Sequence, residues 1–372
     1  MIAEQSIREA LRAVIDPEIR RNVVELDMVR GVGVRGDHVD VTIALTVAGC
    51  PMKADLEGQV RRHVGAVDGV ASVGVAFDVM TPEERTALRQ RLHPGGGDGG
   101  EQKVISLSKR TRVVALASGK GGVGKSTLSV NLAAALAAGG AEVGVVDADI
   151  HGYSLPRMLG VSRRPVVVDK MIVPPVAHDL RVMSIGFFLD SEQAVVWRGP
   201  MLHRALEQFL TDVHWGELDY LVVDMPPGTG DVAISLGQLL PEPDLVIVTT
   251  PQPAAQRVAA RTADVAAKTG MRVAGVVENM SFMRCACCGE VSHPFGSGGG
   301  RALAEELGVP LLAEIPIDEP LREAADGGTP LVVSSPEAES AQAVAALAEA
   351  LPGALRPRSG AERISRRLGV LS

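Results

Sequence analysis

Residues Ser118–Thr127, SGKGGVGKST, follow the apolar run RVVALAS and lead into LSVNLAAALAA. Gly119, Gly124, Lys125 and Ser126 satisfy G-x-x-x-x-G-K-[ST] with a strand pattern before and a helix pattern after, which is the context the motif requires. Gly119, Gly121, Gly122 and Gly124 let the backbone curl. The N–H groups of the loop, from Lys120 through Val123 to Thr127, then point into one concavity at a helix N-terminus, where the dipole adds positive potential. Such a loop binds phosphate. Lys125 is expected on the β- and γ-phosphates of a nucleotide and the Ser126 hydroxyl on Mg²⁺.

Two further apolar runs end in carboxylates. VVDADIHG carries Asp147 and Asp149, and YLVVDMPPGTGD carries Asp224 followed by Gly228, Gly230 and Asp231. A carboxylate at a strand end beside Mg²⁺ can hold the waters of the metal, and this role falls to Asp224. Asp147 and Asp231 have a simpler alternative as helix caps or packing carboxylates. The glycines around Thr229 permit a loop movement.

A second chemistry lies in SFMRCACCGEVSHPFG. Cys285 and Cys288 form C-x-x-C, a spacing that lets two thiolates converge on a soft metal or a cluster. Two ligands are too few for a closed site, but two copies related by a two-fold axis supply four. Cys287 adds a third thiolate that could compete. A Zn²⁺ ion held by four cysteines of two subunits fits the same spacing. His293 reads as a surface or structural residue before it reads as a ligand. Cys50, in AGCPM, is either a transfer thiol or a buried inert residue.

The elements that must position these groups are legible from periodicity. After residue 103, short Val/Ile-rich runs alternate with helical stretches (EVGVVDA, DYLVVDM, DLVIVTT, MRVAGVVEN, VPLLAEIP), the pattern of a mostly parallel sheet with helices on both faces and ligands beyond the carboxyl ends of its strands. Residues 1–92 read as a small α+β domain, 93–103 (HPGGGDGGEQK) as a flexible linker, 104–352 as the P-loop domain and 353–372 as a basic tail. In the small domain Ile7, Leu11 and Val14 set a helical period, HVDVTIALTV and VASVGVAF alternate as strands, and MKADLEGQVRRHV is helical.

Composition narrows the classes. A chain of 372 residues with 46% hydrophobic residues can bury two cores, 3% aromatics disfavour a base-stacking surface, and a net charge of −8 argues against non-specific binding to nucleic acid or anionic lipid. Four cysteines in so long a chain are not a disulfide framework, and no run approaches a signal peptide core or membrane span, so a cytoplasmic protein is expected. The tail ERISRRLGVL sets Ile364, Leu368 and Leu371 beside Arg363, Arg366 and Arg367. It reads as a solvated terminal helix or a short membrane-surface helix.

Lys120 inside the loop, DADIHG, DMPPGTGD, and ENMSF followed by C-x-x-C and HPFG together resemble the Mrp/ApbC (Nbp35-like) iron-sulfur cluster carriers among the deviant Walker A ATPases. DPEI and TVAGCPM resemble the PaaD-like domain that precedes them. The resemblance implies an ATP-hydrolysing homodimer that holds a [4Fe-4S] cluster on Cys285 and Cys288 of each chain, accepts it from a donor and passes it to apo-proteins. It also implies that Lys120 reaches the nucleotide of the partner copy, that Asp149 orients the attacking water, that PPGTGD senses the γ-phosphate, and that Asn279 contacts the base, with a second base-side loop at Pro316 and Asp318. ATP is preferred to GTP on the same ground. The chain departs from the family in Cys287 and Ala286, where CPxCG is usual, and in His151, where DADIYGPS is commoner. MinD- and ParA-like organising ATPases share the loop but do not require the cysteines, and in the nitrogenase iron protein the cluster cysteines lie far apart along the chain.

Overall fold

The computed structural model describes residues 2–46, 52–92, 107–108, 110–149, 152–188, 199–228, 231–285 and 287–357. They fall into two compact units.

The first unit comprises Met1–Ser106, Pro165–Pro174 and Asp212–Gly216. Its elements are α1 (Glu4–Leu11), β1 (Val29–Arg35), β2 (His38–Leu45), α2 (Lys53–Gly65), β3 (Ser72–Val79) and α3 (Pro82–Leu92). Strand β2 is central, antiparallel to β1 and parallel to β3. Its alternation buries Val39, Val41 and Ile43 completely, and α2 meets them with Leu56, Val60 and Val64, spaced one turn apart. The helix pattern at the N-terminus stops at Leu11, and Asp16 in the DPEI segment turns the chain by accepting the N–H groups of Glu18 and Ile19. A hairpin from far along the chain completes this core: Val168, Met171 and Val173 are buried in it. No sequence signal assigns residues 165–174 to the small unit.

The second unit is an α/β sandwich of the P-loop kind. The hairpin segment just described supplies β6 (Val166–Val168) and β7 (Met171–Val173); the remaining elements are β4 (Arg112–Ser118), α4 (Lys125–Ala138), β5 (Val143–Asp147), α5 (Leu155–Met158), β8 (Val176–Ala177), β9 (Leu180–Ser184), α6 (Gly199–Thr211), β10 (Tyr220–Asp224), α7 (Asp231–Leu239), β11 (Asp244–Thr249), α8 (Pro253–Lys268), β12 (Arg272–Arg284), β13 (Val291–Ser292), α9 (Gly299–Leu307), β14 (Leu311–Ile317), α10 (Glu319–Gly327), α11 (Leu331–Ser334) and α12 (Glu339–Ala354). The nine-stranded sheet runs β13-β12-β11-β4-β10-β5-β9-β8, with β14 also on β12. Only the short β8 and β13 pair antiparallel within it. Strands β5, β10 and β11 are buried along their whole length, as the uninterrupted apolar runs require of strands covered on both faces. Because the first strand, β4, sits between β10 and β11, the carboxyl ends of β4 and β10 open side by side at the point where the chain winds in both directions. No helix among the described residues is long and apolar enough to cross a membrane.

The linker 93–103 and residues 104–106, Cys50, His151, Thr229, Gly230 and the tail from 358 lie outside the described residues, as does the side chain of Asp231.

Candidate nucleotide and thiol site

The phosphate loop joins β4 to α4. Gly122 and Gly124 take φ of 78° and 80°, and Gly124 caps α4. Such values are open to glycine at no steric cost. Gly119 is fixed for a different reason: a Cβ there would stand 2.5 Å from the backbone of Val258 and Ala259 in α8. The segment after β10 is tied to the loop, with the N–H of Gly228 donating to the Ser118 carbonyl at 2.8 Å.

Asp224, wholly buried at the end of β10, gathers the first turn of α4. Its Oδ1 accepts from Lys125 Nζ and from Ser129 Oγ, both at 2.7 Å, and its Oδ2 accepts from Ser126 Oγ at 2.6 Å. The Lys125 side chain is 5% exposed and that of Asp224 0%, so each charge stands without water and depends on the other. Three of the residues were expected here. Ser129 was not: one serine in an apolar helix carries no motif, and the available signal is its position one turn after Lys125, on the same face.

Asp147 lies beside Asp224 in the register of β5 and β10. Burial, reinforced by the neighbouring Asp224 charge, pushes its pKa up to about 7, while the N–H of Leu155, the Ser184 hydroxyl and the N–H of Asp149 favour the charged form. Its Oδ2 also accepts from the N–H of Ser154, so Asp147 caps the short helix α5, the simpler of its two readings. Asp149 accepts the N–H of Gly152 at 3.2 Å and is partly exposed. Lys120 donates to Oε1 of Gln252 at 3.1 Å, and the Thr250 hydroxyl donates to the same oxygen.

Asn279 is 5% exposed and its amide donates to the Val123 carbonyl at 2.8 Å. It therefore braces the phosphate loop, a contact absent from the sequence reading. Asp318 is likewise engaged, accepting the Ser340 hydroxyl at 2.7 Å.

Strand β12 carries on past Asn279. Met280 takes φ of 58°, the register with β14 shifts between Asn279 and Met283, and the strand then pairs with β13 to form a hairpin whose tip is Cys285–Gly289. The N–H of Gly289 donates to the Cys285 carbonyl at 2.8 Å and the N–H of Cys285 to Glu290 O at 2.9 Å. Gly289, at φ of 74°, closes the tip. Backbone N–H groups of Cys288 and Cys287, followed by the Cys288 thiol, donate to the Cys285 sulfur and hold its pKa below the ordinary thiol value. These hydrogen bonds favour the thiolate over the thiol, and the thiolate is the form that ligates metals. His293 turns Nδ1 to the Ser281 carbonyl at 3.0 Å, a structural contact. Among the described residues no three His, Cys, Asp or Glu side chains of one copy are grouped so as to hold a metal ion.

Comparison with known proteins now bears on this geometry. Residues 109–352 match the family described as NUBPL iron-transfer P-loop NTPase, and residues 4–76 match a family described as iron-sulfur cluster assembly protein. The iron-sulfur cluster carrier protein of Mycobacterium tuberculosis is 50% identical over 95% of this chain and 94% of its own length, and that of Synechocystis 41% identical over 95% and 98%. Among solved structures, an Archaeoglobus fulgidus nucleotide-binding protein in complex with ADP is similar at 36% identity with a TM-score of 0.53, covering 61% of this chain and 89% of that one. The cell division ATPase MinD of Pyrococcus furiosus is similar at 27% identity with a TM-score of 0.50, covering 65% and 98%. A phosphate loop, a buried carboxylate at a strand end and a thiol turn on one sheet, preceded by an assembly-type domain, thus occur together in a chain that belongs to the Mrp/ApbC family of iron-sulfur cluster carrier proteins, NUBPL-like P-loop NTPases with an N-terminal iron-sulfur assembly domain.

Proposed function

We propose that the chain binds and hydrolyses ATP and uses it to hold a [4Fe-4S] cluster between two copies of itself, accepting the cluster from a donor and releasing it to apo-proteins in the cytoplasm. The observation that supports this reading is one strand reaching both places: β12 braces the phosphate loop through Asn279 and ends at Arg284, next to Cys285. A rearrangement of the loop reaches the thiols through a single element.

The residues present fit a magnesium nucleotide. Gly122 and Gly124 shape the cradle, and a hydroxyl (Ser126) and a carboxylate (Asp224) from two elements meet as the oxygen donors a hard divalent cation takes. Bound MgATP supplies the phosphoanhydride bond that is cleaved. With nucleotide bound, the Lys125 ammonium would exchange its Asp224 partner for phosphate oxygens, Asp149 would orient water, and Lys120 would leave Gln252 to reach the nucleotide of the partner copy. The loop from Gly119 to Thr127 holds the phosphates, and Asn279 lies at its edge.

The cluster is cargo. Cys285 and Cys288 of each copy bind it as thiolates, and a two-fold axis brings the four together. The likeness to MinD favours a spatial-organisation ATPase at the level of fold, but that reading leaves the low-pKa thiol turn without a task. Anaerobic reconstitution with iron and sulfide tests the proposal: a brown dimer with cluster absorption and iron in proportion to Cys285 and Cys288 is expected. A colourless dimer that instead retains Zn²⁺ through these cysteines overturns it.

A further inference from the structure

We propose that Arg284 is the positioning residue of the thiol turn, clamping the Cys285–Gly289 tip to helix α12 so that Cys285 and Cys288 are offered in one fixed orientation. This rests on the carrier reading. Nη1 of Arg284 donates to the Gly289 carbonyl at 3.1 Å, its Nη2 to Glu339 Oε1 at 2.8 Å, and its Nε to Glu339 Oε2 at 3.1 Å. One planar guanidinium thus binds the closing residue of the turn and the first residue of α12 at once. A lysine ammonium, a point charge on a flexible stem, does not reproduce that fork.

The clamp acts where packing does not. Cys287, Cys288, Gly289 and Glu290 are exposed, so burial does not fix the tip. Helix α12, by contrast, is anchored by packing: Val344, Leu347, Ala348 and Leu351 are buried in the same core as Leu128, Leu132 and Leu136 of α4. The guanidinium therefore ties a solvent-facing turn to the helix pair that begins at the phosphate loop. Its pair with Glu339 is itself exposed and adds little to global stability, which makes a local, orienting role separable from folding.

The full-length variants Arg284→Ala, Arg284→Lys and Glu339→Gln decide the matter through two readouts. In the cluster-free chain, amide hydrogen exchange at Cys285 and Gly289 is expected to quicken for Arg284→Ala. In the reconstituted chain, chelator-driven loss of cluster absorption is expected to quicken by about tenfold, the scale at which partners behind metal ligands act. Arg284→Lys recovers less than half of either effect, Glu339→Gln shows both in weaker form, and the melting temperature and nucleotide affinity stay at parental values. Unchanged exchange and cluster lifetime in Arg284→Ala, or full recovery by Arg284→Lys, overturns the clamp. A parental chain that takes up no cluster overturns the carrier reading, while the exchange rates still decide whether Arg284 holds the turn.

Discussion

The side-chain amide of Asn279, on β12, donates to the backbone carbonyl of Val123 in the phosphate loop at 2.8 Å, and the two residues are fitted so closely that a Cβ on Gly124 would come within 2.2 Å of the same amide nitrogen. The loop and the strand are therefore in direct contact through this amide. Asn279→Ala removes the brace and leaves a buried carbonyl without it. ATP affinity is expected to fall about tenfold, the worth of one buried hydrogen bond, with the fold intact. Titration calorimetry with a non-hydrolysable analogue measures it, and parental affinity would refute the coupling.

Lys125→Ala is expected to abolish nucleotide binding and turnover. It also strands the Asp224 carboxylate in a dry site with two serine hydroxyls, so thermal stability should drop, on the order of 3–5 kcal/mol for breaking a buried pair. Normal ATPase activity in this variant would remove the phosphate assignment.

Asp147 supplies a pH dependence with a definite sign. Its folded-state pKa is raised from 3.8 to about 7, so between those values the folded chain keeps a proton that the unfolded chain has lost. The stabilisation from this group is full below the lower value and declines as pH rises to the upper one. Asp147→Asn lacks this slope. Melts at pH 5 and pH 7.5 should show the variant gaining on the parent at the higher pH; a gain at the lower pH contradicts the assignment.

Cys285→Ala and Cys288→Ala should each lose the cluster and keep ATP binding, whereas Cys287→Ala should keep both. Iron and sulfide analysis after anaerobic reconstitution separates the three. Loss confined to Cys287→Ala would move the ligand set.

The runs that set the inner strands of the parallel sheet, and the loop from Gly119 to Thr127, were readable because both signals are local: a strand buried on two faces is apolar throughout, and the phosphate loop is contiguous. Asp224 was readable by type and strand end. What escaped is tertiary. The Ser129 contact joins residues 95 positions apart, the Asn279 contact 156, and the Arg284 contact with Glu339 55, and none of these pairs has a spacing rule. Strands as short as β6 and β7 hold too few residues to establish a period, so their burial in the small unit could be found only in three dimensions.

The bulge at Met280 gives β12 a phase as well as a length. Side chains alternate along a strand, and the irregularity beside Met280 resets which face each later residue occupies. Between the asparagine that grips the phosphate loop and Cys285, the arithmetic of odd and even therefore matters: adding or deleting one residue at Met283 or Arg284 would leave the loop and the C-x-x-C spacing intact and still turn Cys285 to the other face of the strand.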